Sequence, residues 1–371
     1  MKKTILVNEN YKKNKLVKEA KEAKEAKEAK EAKEAKEAKE AKEAKEAKEA
    51  KEAKEAKEAK EAKEAKEAKE AKEEEIKKYY NNKNKTLIGT NNHLFLINDS
   101  CKEIEVHNNN LCMIKTNLNI RYDTIKNKFF IVIFPDKSFV NKKYLPFIFD
   151  LKHRPNFDIY KEYFGDYLLD GYNIINNEAY YYKTDSHSNF YGCYMIYSHF
   201  VDNINKLFNL NINKKIINIH KKECILSELN IGIGDLTENI NLGNQILENK
   251  LDDYYYSNDI EYIYNHKIIN INDNLQILSF HDNILENITE SCNNLIIDWN
   301  IISKNILYKK NDLNNKLKVL IFYDSFLTST LSLYLELFNE VYLYKSIIDN
   351  NLINFIKPDY IFEFRVERFL F

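Results

Sequence analysis

Glycine, proline and arginine are scarce in this chain, with seven, four and four residues in 371. Those absences exclude collagen-like, linker-like and Gly-rich classes. The four arginines are Arg121, Arg154, Arg365 and Arg368, and 56 basic residues face 57 acidic ones, so a nucleic-acid binder held by counterion release is excluded as well. Cys101, Cys112, Cys193, Cys224 and Cys292 are odd in number and form no CxxC pair. Neither a disulfide framework nor a zinc site is supported, and no metal or cofactor is expected. No apolar run approaches the ~20 residues of a membrane span. In the opening MKKTILVNENYKKNK only Ile5, Leu6 and Val7 are apolar before polar residues intervene, short of the about 7–15 apolar residues of a secretory leader. Read directly, the expected compartment is the cytoplasm.

What is present is of two kinds. From Lys18 to Ala71 the triplet Lys-Glu-Ala repeats eighteen times, and the one alanine outside that block is Ala179. Without the repeat, 38 basic residues face 39 acidic ones, so neither part of the chain is a polycation. All three residue types favour helix, and 54 of them would span about 80 Å. Three residues turn about 300°, so the alanine stripe winds around the helix and leaves no fixed apolar face. A coiled-coil seam is therefore poorly supported. Each Lys meets a Glu at i+4, the weaker orientation, which predicts a solvated, marginal spacer. The expected organisation is a tail over 1–17, the repeat spacer over 18–75, and a globular domain over 76–371.

The globular part is rich in Ile, Leu, Phe and Tyr and long enough to bury a sizeable core. Apolar runs predict strands at Leu94–Ile97, Phe129–Phe134 and Ile216–Ile219, and helical spacing predicts helices over Tyr160–Leu169 and Phe190–Leu207. Near the C-terminus the pattern is strand Leu317–Phe322, helix Phe326–Phe338, strand Val341–Tyr344, helix Asp349–Ile356, strand Pro358–Phe364. Such alternation implies an α/β fold with a parallel sheet and right-handed crossovers. Ligands of such sheets sit outside the carboxyl ends of the strands, and Ser325 lies at one of them.

A serine on a strand-to-helix turn, near the helix's free N–H groups, is placed as a nucleophile whose oxyanion can be stabilised. The alternative is an ordinary N-cap. A serine nucleophile needs a base and the base an orienting carboxylate. Asp185 and His187 are two residues apart, which in an extended segment puts both side chains on one side. A helix-capping turn is again the alternative reading. Tyr180–Tyr182 and Tyr254–Tyr256 are candidate sugar platforms, although tyrosine clusters also occur half-buried in sheets. Arg365, Glu367 and Arg368 read as a closing ion-pair cluster rather than a site.

Six blocks in one order resemble the AlgX/AlgJ family of SGNH hydrolase-like proteins, which O-acetylate exopolysaccharides such as alginate. They are the segment from Gly89 to Asp99 with its Leu-Phe-Leu strand, the proline-led segment from Phe134 to Pro146, Tyr-Tyr-Lys-Thr-Asp-Ser-His at 181–187, Gly234-Asp235-Leu236, Asp324-Ser325-Phe326, and the closing segment from Phe364 to Leu370. The resemblance covers the chain from about residue 85 to its end. It implies an SGNH hydrolase-like (flavodoxin-like) domain with Ser325, His187 and Asp185 as catalytic residues. It further implies transfer through an acetyl-serine to a glycan or polysaccharide acceptor, the acetyl donor being supplied through a membrane O-acyltransferase. A carbohydrate acetylesterase, or a catalytically impaired carbohydrate-binding protein of the same fold, is the alternative. The family's setting is the periplasm or cell envelope, in contrast to the direct cytoplasmic reading. Two positions depart from the family pattern: Ser188 stands where Trp is usual, and Tyr323 where Gly is usual before Asp-Ser. A missing packing wall and a crowded turn are the expected consequences.

Overall fold

The computed structural model describes residues 2–81, 84–114, 117–224, 234–236, 252–256, 275–289 and 303–370. Two units meet between Glu75 and Ile76. A single helix, Lys2–Tyr80, includes the whole repeat, and its residues 11–75 are exposed throughout, as a stripe with no fixed face requires. Within the repeat, Lys–Glu pairs at i,i+4 stand 3.7–3.9 Å apart with both side chains more than half exposed. Pairs so long and so wet add little to stability. No helix among the described residues is long and apolar enough to cross a membrane.

The second unit is α/β. Its strands are β1 (Thr86–Ile88), β2 (Leu94–Leu96), β3 (Phe129–Phe134), β4 (Leu168–Asp170), β5 (His220–Cys224), β6 (Asp252–Tyr256), β7 (Leu275–His281), β8 (Ile284–Asn287), β9 (Ile306–Lys310), β10 (Lys318–Tyr323), β11 (Glu340–Tyr344) and β12 (Tyr360–Val366). The central sheet runs β4-β3-β12-β10-β11-β9-β7-β8. From β4 to β11 every pairing is parallel, and β9, β7 and β8 extend it antiparallel. Alternation along the strands explains the layering. Phe130, Val132 and Phe134 of β3 and Val319, Ile321 and Tyr323 of β10 face one core, together with the helix Phe190–Phe208. Phe129, Ile131, Ile133, Leu320 and Phe322 face the other, with the helices Pro155–Phe164 and Asn350–Ile356. A sheet covered on both faces has strands apolar at every position, hence the continuous runs in the sequence.

Several elements differ from expectation. Ile216–Ile219 is not a strand: Ile217 is buried and Ile216 exposed, and the backbone is met by tyrosine hydroxyls of the neighbouring helix. Lys215 N–H donates to Tyr197 Oη at 2.9 Å, and Ile217 N–H reaches Tyr194 Oη at 3.4 Å. The helix expected over Tyr160–Leu169 begins instead at Pro155, whose fixed φ suits a first helical residue, and ends at Phe164. Gly165, at φ +55°, breaks it and lets β4 form. The helix expected over Phe326–Phe338 is a 3-10 segment, Ser325–Thr330, followed by a short α-helix, Leu331–Leu335.

Candidate active site

Three adjacent parallel strands deliver the site from their carboxyl ends. β10 runs into Asp324-Ser325, β12 into Glu367-Arg368, and β3 into Pro135-Asp136. The loop before the helix Phe190–Phe208 brings Asp185, Ser186 and His187. Ser325 and His187, 138 residues apart in sequence, meet with Oγ 2.8 Å from Nε2. The other ring nitrogen, Nδ1, is 2.6 Å from Asp185 Oδ1, which also accepts the His187 backbone N–H at 2.8 Å. All three residues named from the sequence therefore lie in one hydrogen-bonded row.

The alternative capping roles are filled by neighbours. Asp324 caps the 3-10 segment, accepting the Phe326 N–H at 2.9 Å through Oδ1, while its Oδ2 takes the Val366 N–H at 2.6 Å. The helix Phe190–Phe208 is capped by Asn189, which accepts the Gly192 N–H at 3.0 Å. Ser325 and His187 are thus left to face each other. One expectation fails here: Ser325 opens a short 3-10 segment rather than a long helix, and the Phe326 N–H is already used.

Electrostatics at the row follow from burial and pairing. Burial pushes the Asp185 carboxyl up, but the His187 charge and three N–H bonds outweigh it and hold the group below the usual carboxylate range. Burial likewise pushes His187 down, yet Asp185 and then Asp235 outweigh it, Arg368 opposing, so the imidazole lies above its ordinary value. Asp235 is raised by burial and by the charge of Asp185.

Sequence reasoning missed the surroundings. Arg368 is part of an ion-pair cluster, as expected, but the cluster reaches the site. Its Nη1 donates to Glu103 Oε2 at 3.0 Å and Asp136 Oδ1 at 2.9 Å, and its Nη2 to Ser186 Oγ at 3.2 Å. His107 Nε2 lies 3.1 Å from Asp136 Oδ2, and burial is overcome by Asp136 and Glu367 to raise this imidazole to about 9. Burial also raises Glu103 and Glu367 to about 7 each. Arg154 donates to Glu367 at 2.8 Å and doubly to Asp170 at 3.0 Å. Lys137 Nζ donates to the carbonyls of Lys183 and Asp185, both at 2.8 Å, pinning the loop that bears Asp185. The one available signal was an excess of charge beside apolar runs, in Glu103, Asp136, Lys137 and Arg368.

No protein-family model matches the chain, and no curated protein does so either. Similar solved structures exist. Bacillus cereus PatB1 is 13% identical with a TM-score of 0.47, the match covering 77% of this chain and 96% of that one. A DHHW family protein from Eubacterium siraeum is 14% identical with a TM-score of 0.44, over 76% of this chain and 93% of that one. The O-acetyltransferase domain of Pseudomonas putida AlgJ is 12% identical with a TM-score of 0.44, over 77% and 91%.

The two departures from the AlgX/AlgJ family pattern have structural answers. Tyr323 is fully buried in the core beneath the sheet's end and has no positive φ, so it does not crowd the turn. Ser188 is buried as well, its hydroxyl donating to the Tyr180 carbonyl at 2.9 Å. Of the candidate sugar platforms, Tyr181 and Tyr182 are buried, Tyr181 donating to the Pro135 carbonyl at 2.6 Å, and Tyr180 packs on Tyr191. The side chains of Tyr254–Tyr256 lie outside the described residues. Asp185, His187 and Asp235 offer one ligand atom each within 4.8 Å. The 2.6 Å between Asp185 Oδ1 and His187 Nδ1 is a hydrogen-bond distance, shorter than two ligands on one tetrahedral ion would keep at bonds of about 2.0–2.2 Å.

Proposed function

We propose that this chain is an O-acyltransferase that moves an acetyl group to a glycan hydroxyl through Ser325, His187 and Asp185. The observation that carries the reading is the unbroken row from Ser325 Oγ to His187 Nε2 at 2.8 Å and from Nδ1 to Asp185 at 2.6 Å. In such a row the Nδ1–H points at Asp185 and Nε2 is left as acceptor, the tautomer a general base requires. His187 takes the Ser325 proton as Oγ attacks the carbonyl carbon of the acetyl donor. The same imidazolium returns the proton to the departing group, leaving acetyl-Ser325. In the second half, His187 deprotonates the acceptor hydroxyl, which attacks the acetyl carbon, and the proton then returns to Ser325. Asp185 stays ionised throughout and stabilises the imidazolium.

The acetyl group, the glycan acceptor and the membrane-linked donor are parts of the proposal that rest on the six-block motif resemblance. That resemblance also favours the cell envelope as the place of action, which fractionation of the native cells tests. Incubation of the full chain with an activated acetyl ester and candidate glycans tests the reaction. Acetylated glycan formed by wild type and lost in Ser325→Ala supports transfer. Free acetate alone at every acceptor concentration makes the protein an esterase.

A further inference from the structure

We propose that Asp235 is a positioning residue for His187, a second carboxylate brought by the segment 234–236 to an imidazole that Asp185 already orients. The proposal rests on His187 acting as the base for Ser325. The segment lies directly against the loop that bears Asp185 and His187. Gly234 makes this approach possible, since a Cβ there would stand 2.5 Å from the Thr184 carbonyl oxygen and 2.8 Å from Asp185 Cβ. Leu236, itself buried, donates its N–H to the Thr184 carbonyl at 3.3 Å, and its own carbonyl accepts from Thr86 Oγ1 at 2.6 Å. The middle residue is therefore fixed on both sides.

From that place Asp235 acts in two ways. Its N–H donates to Asp185 Oδ2 at 3.2 Å, so Asp185 is bonded through both oxygens and presents Oδ1 to the ring. Its own carboxylate accepts the Ser186 N–H at 2.7 Å and the Ser186 hydroxyl at 2.6 Å, with Oδ2 3.6 Å from His187 Nδ1. Arg368 donates to that same hydroxyl oxygen at 3.2 Å. Held between a guanidinium and a carboxylate, the Ser186 hydroxyl sends its proton to Asp235 and not to Nδ1, 3.5 Å away. The Nδ1–H is left to Asp185, which selects the tautomer with Nε2 open to Ser325. Among the described residues the charged groups facing the ring are Asp185 on its own loop, Asp235 on the segment, and Arg368 on the turn after β12, whereas the Ser325 turn presents the Ser325 hydroxyl and the Phe326 ring. A second negative charge at this distance strengthens proton binding by the ring.

The test is an NMR titration of the His187 ring in the full chain, assigned with His187→Gln, alongside kcat and KM on an activated acetyl ester across pH. Asp235→Asn should move the His187 titration, and the acid limb of kcat/KM, to lower pH. It should also lower kcat, by up to about 10²-fold, with KM little changed, as expected of a misaligned base. Asp235→Glu, which keeps the charge, should return the titration toward wild type. A His187 titration unchanged between wild type and Asp235→Asn overturns the proposal. If Asp235→Asn does not fold, Ser186→Ala is the second variant: it removes the hydroxyl on Asp235 Oδ2 and keeps the N–H on Oδ1, so the Oδ2 beside Nδ1 should move the His187 titration to higher pH. An unmoved titration there is equally contrary. The titration does not depend on turnover, so a wild type that never acetylates Ser325 sinks the acyl-transfer reading and leaves the Asp235 result to be judged separately.

Discussion

At the residue scale the site turns on which of two adjacent polar residues does the capping. Asp324 and Asn189 satisfy the local backbone N–H groups, and Ser325 and His187 are left to pair across the sheet's end. The sequence showed a serine beside an aspartate at a strand end, but local sequence does not say which side chain turns inward. That choice is made by Val366 N–H, 42 residues away, which holds Asp324 Oδ2 at 2.6 Å. Because Asp185 raises the His187 imidazole, the proposed role of His187 as base predicts activity only above its elevated titration, falling as pH drops through it. Replacing Asp185 by Asn should move this acid limb to lower pH and cut kcat by about 10³-fold or more, read from pH–rate profiles. Tyr323 gives a contrasting prediction. Its hydroxyl is buried with no hydrogen-bond partner among the described residues, so Tyr323→Phe should leave stability unchanged or raise it by about 1 kcal/mol in denaturant melts. A loss of several kcal/mol would mean that the hydroxyl is bonded after all.

At the element scale, legibility followed burial. β3 was readable to the residue because it is apolar on both faces, and β10 and β11 were displaced by a residue at most for the same reason. The helix Phe190–Phe208 kept its period because one stripe of it, including Phe190, Cys193, Tyr197, Phe200 and Ile204, is buried. The errors fell where a tertiary partner or a local helix breaker overrode apolar spacing. Tyrosine hydroxyls stood in for a strand neighbour at Ile216–Ile219, and Gly165 ended a helix that the apolar spacing alone would have continued. The candidate site was legible in Ser325, His187 and Asp185. Its supporting charges were not, because Arg368 gathers Glu103, Asp136 and Ser186 from three separate segments. Asn189→Ala should cost about 1 kcal/mol by removing the cap of the helix Phe190–Phe208, measured as a lowered denaturation midpoint. Gly192→Ala should cost more, since its Cβ would stand 2.3 Å from Ser188 Oγ and 2.7 Å from the Tyr180 carbonyl oxygen.

At the scale of the whole molecule, the two units should respond differently to heat and pH. Residues 11–75 of the repeat-bearing helix are exposed throughout, so their ellipticity should fade gradually with temperature, while residues 76–371 melt cooperatively. The buried charge cluster gives the second unit a pH dependence of definite sign. His107 is raised from 6.5 to about 9, so its contribution is complete below about 6.5 and lost as pH rises through about 9. Glu103 and Glu367, raised from 4.5 to about 7, act in the same sense over the lower window. Asp185, held below its usual value, acts oppositely and only in strong acid. Between about pH 6.5 and about pH 9 the wild-type melting temperature should therefore fall relative to that of His107→Gln, which lacks this proton-linked contribution. The central claim, that the row at the sheet's end forms an acyl-enzyme, is tested most directly by mass spectrometry of the intact protein after rapid quenching from an activated acetyl ester. The account predicts one added acetyl group in wild type, mapped to the peptide containing Ser325 and absent from Ser325→Ala. An unmodified wild-type protein, or equal acetylation of Ser325→Ala, would contradict it.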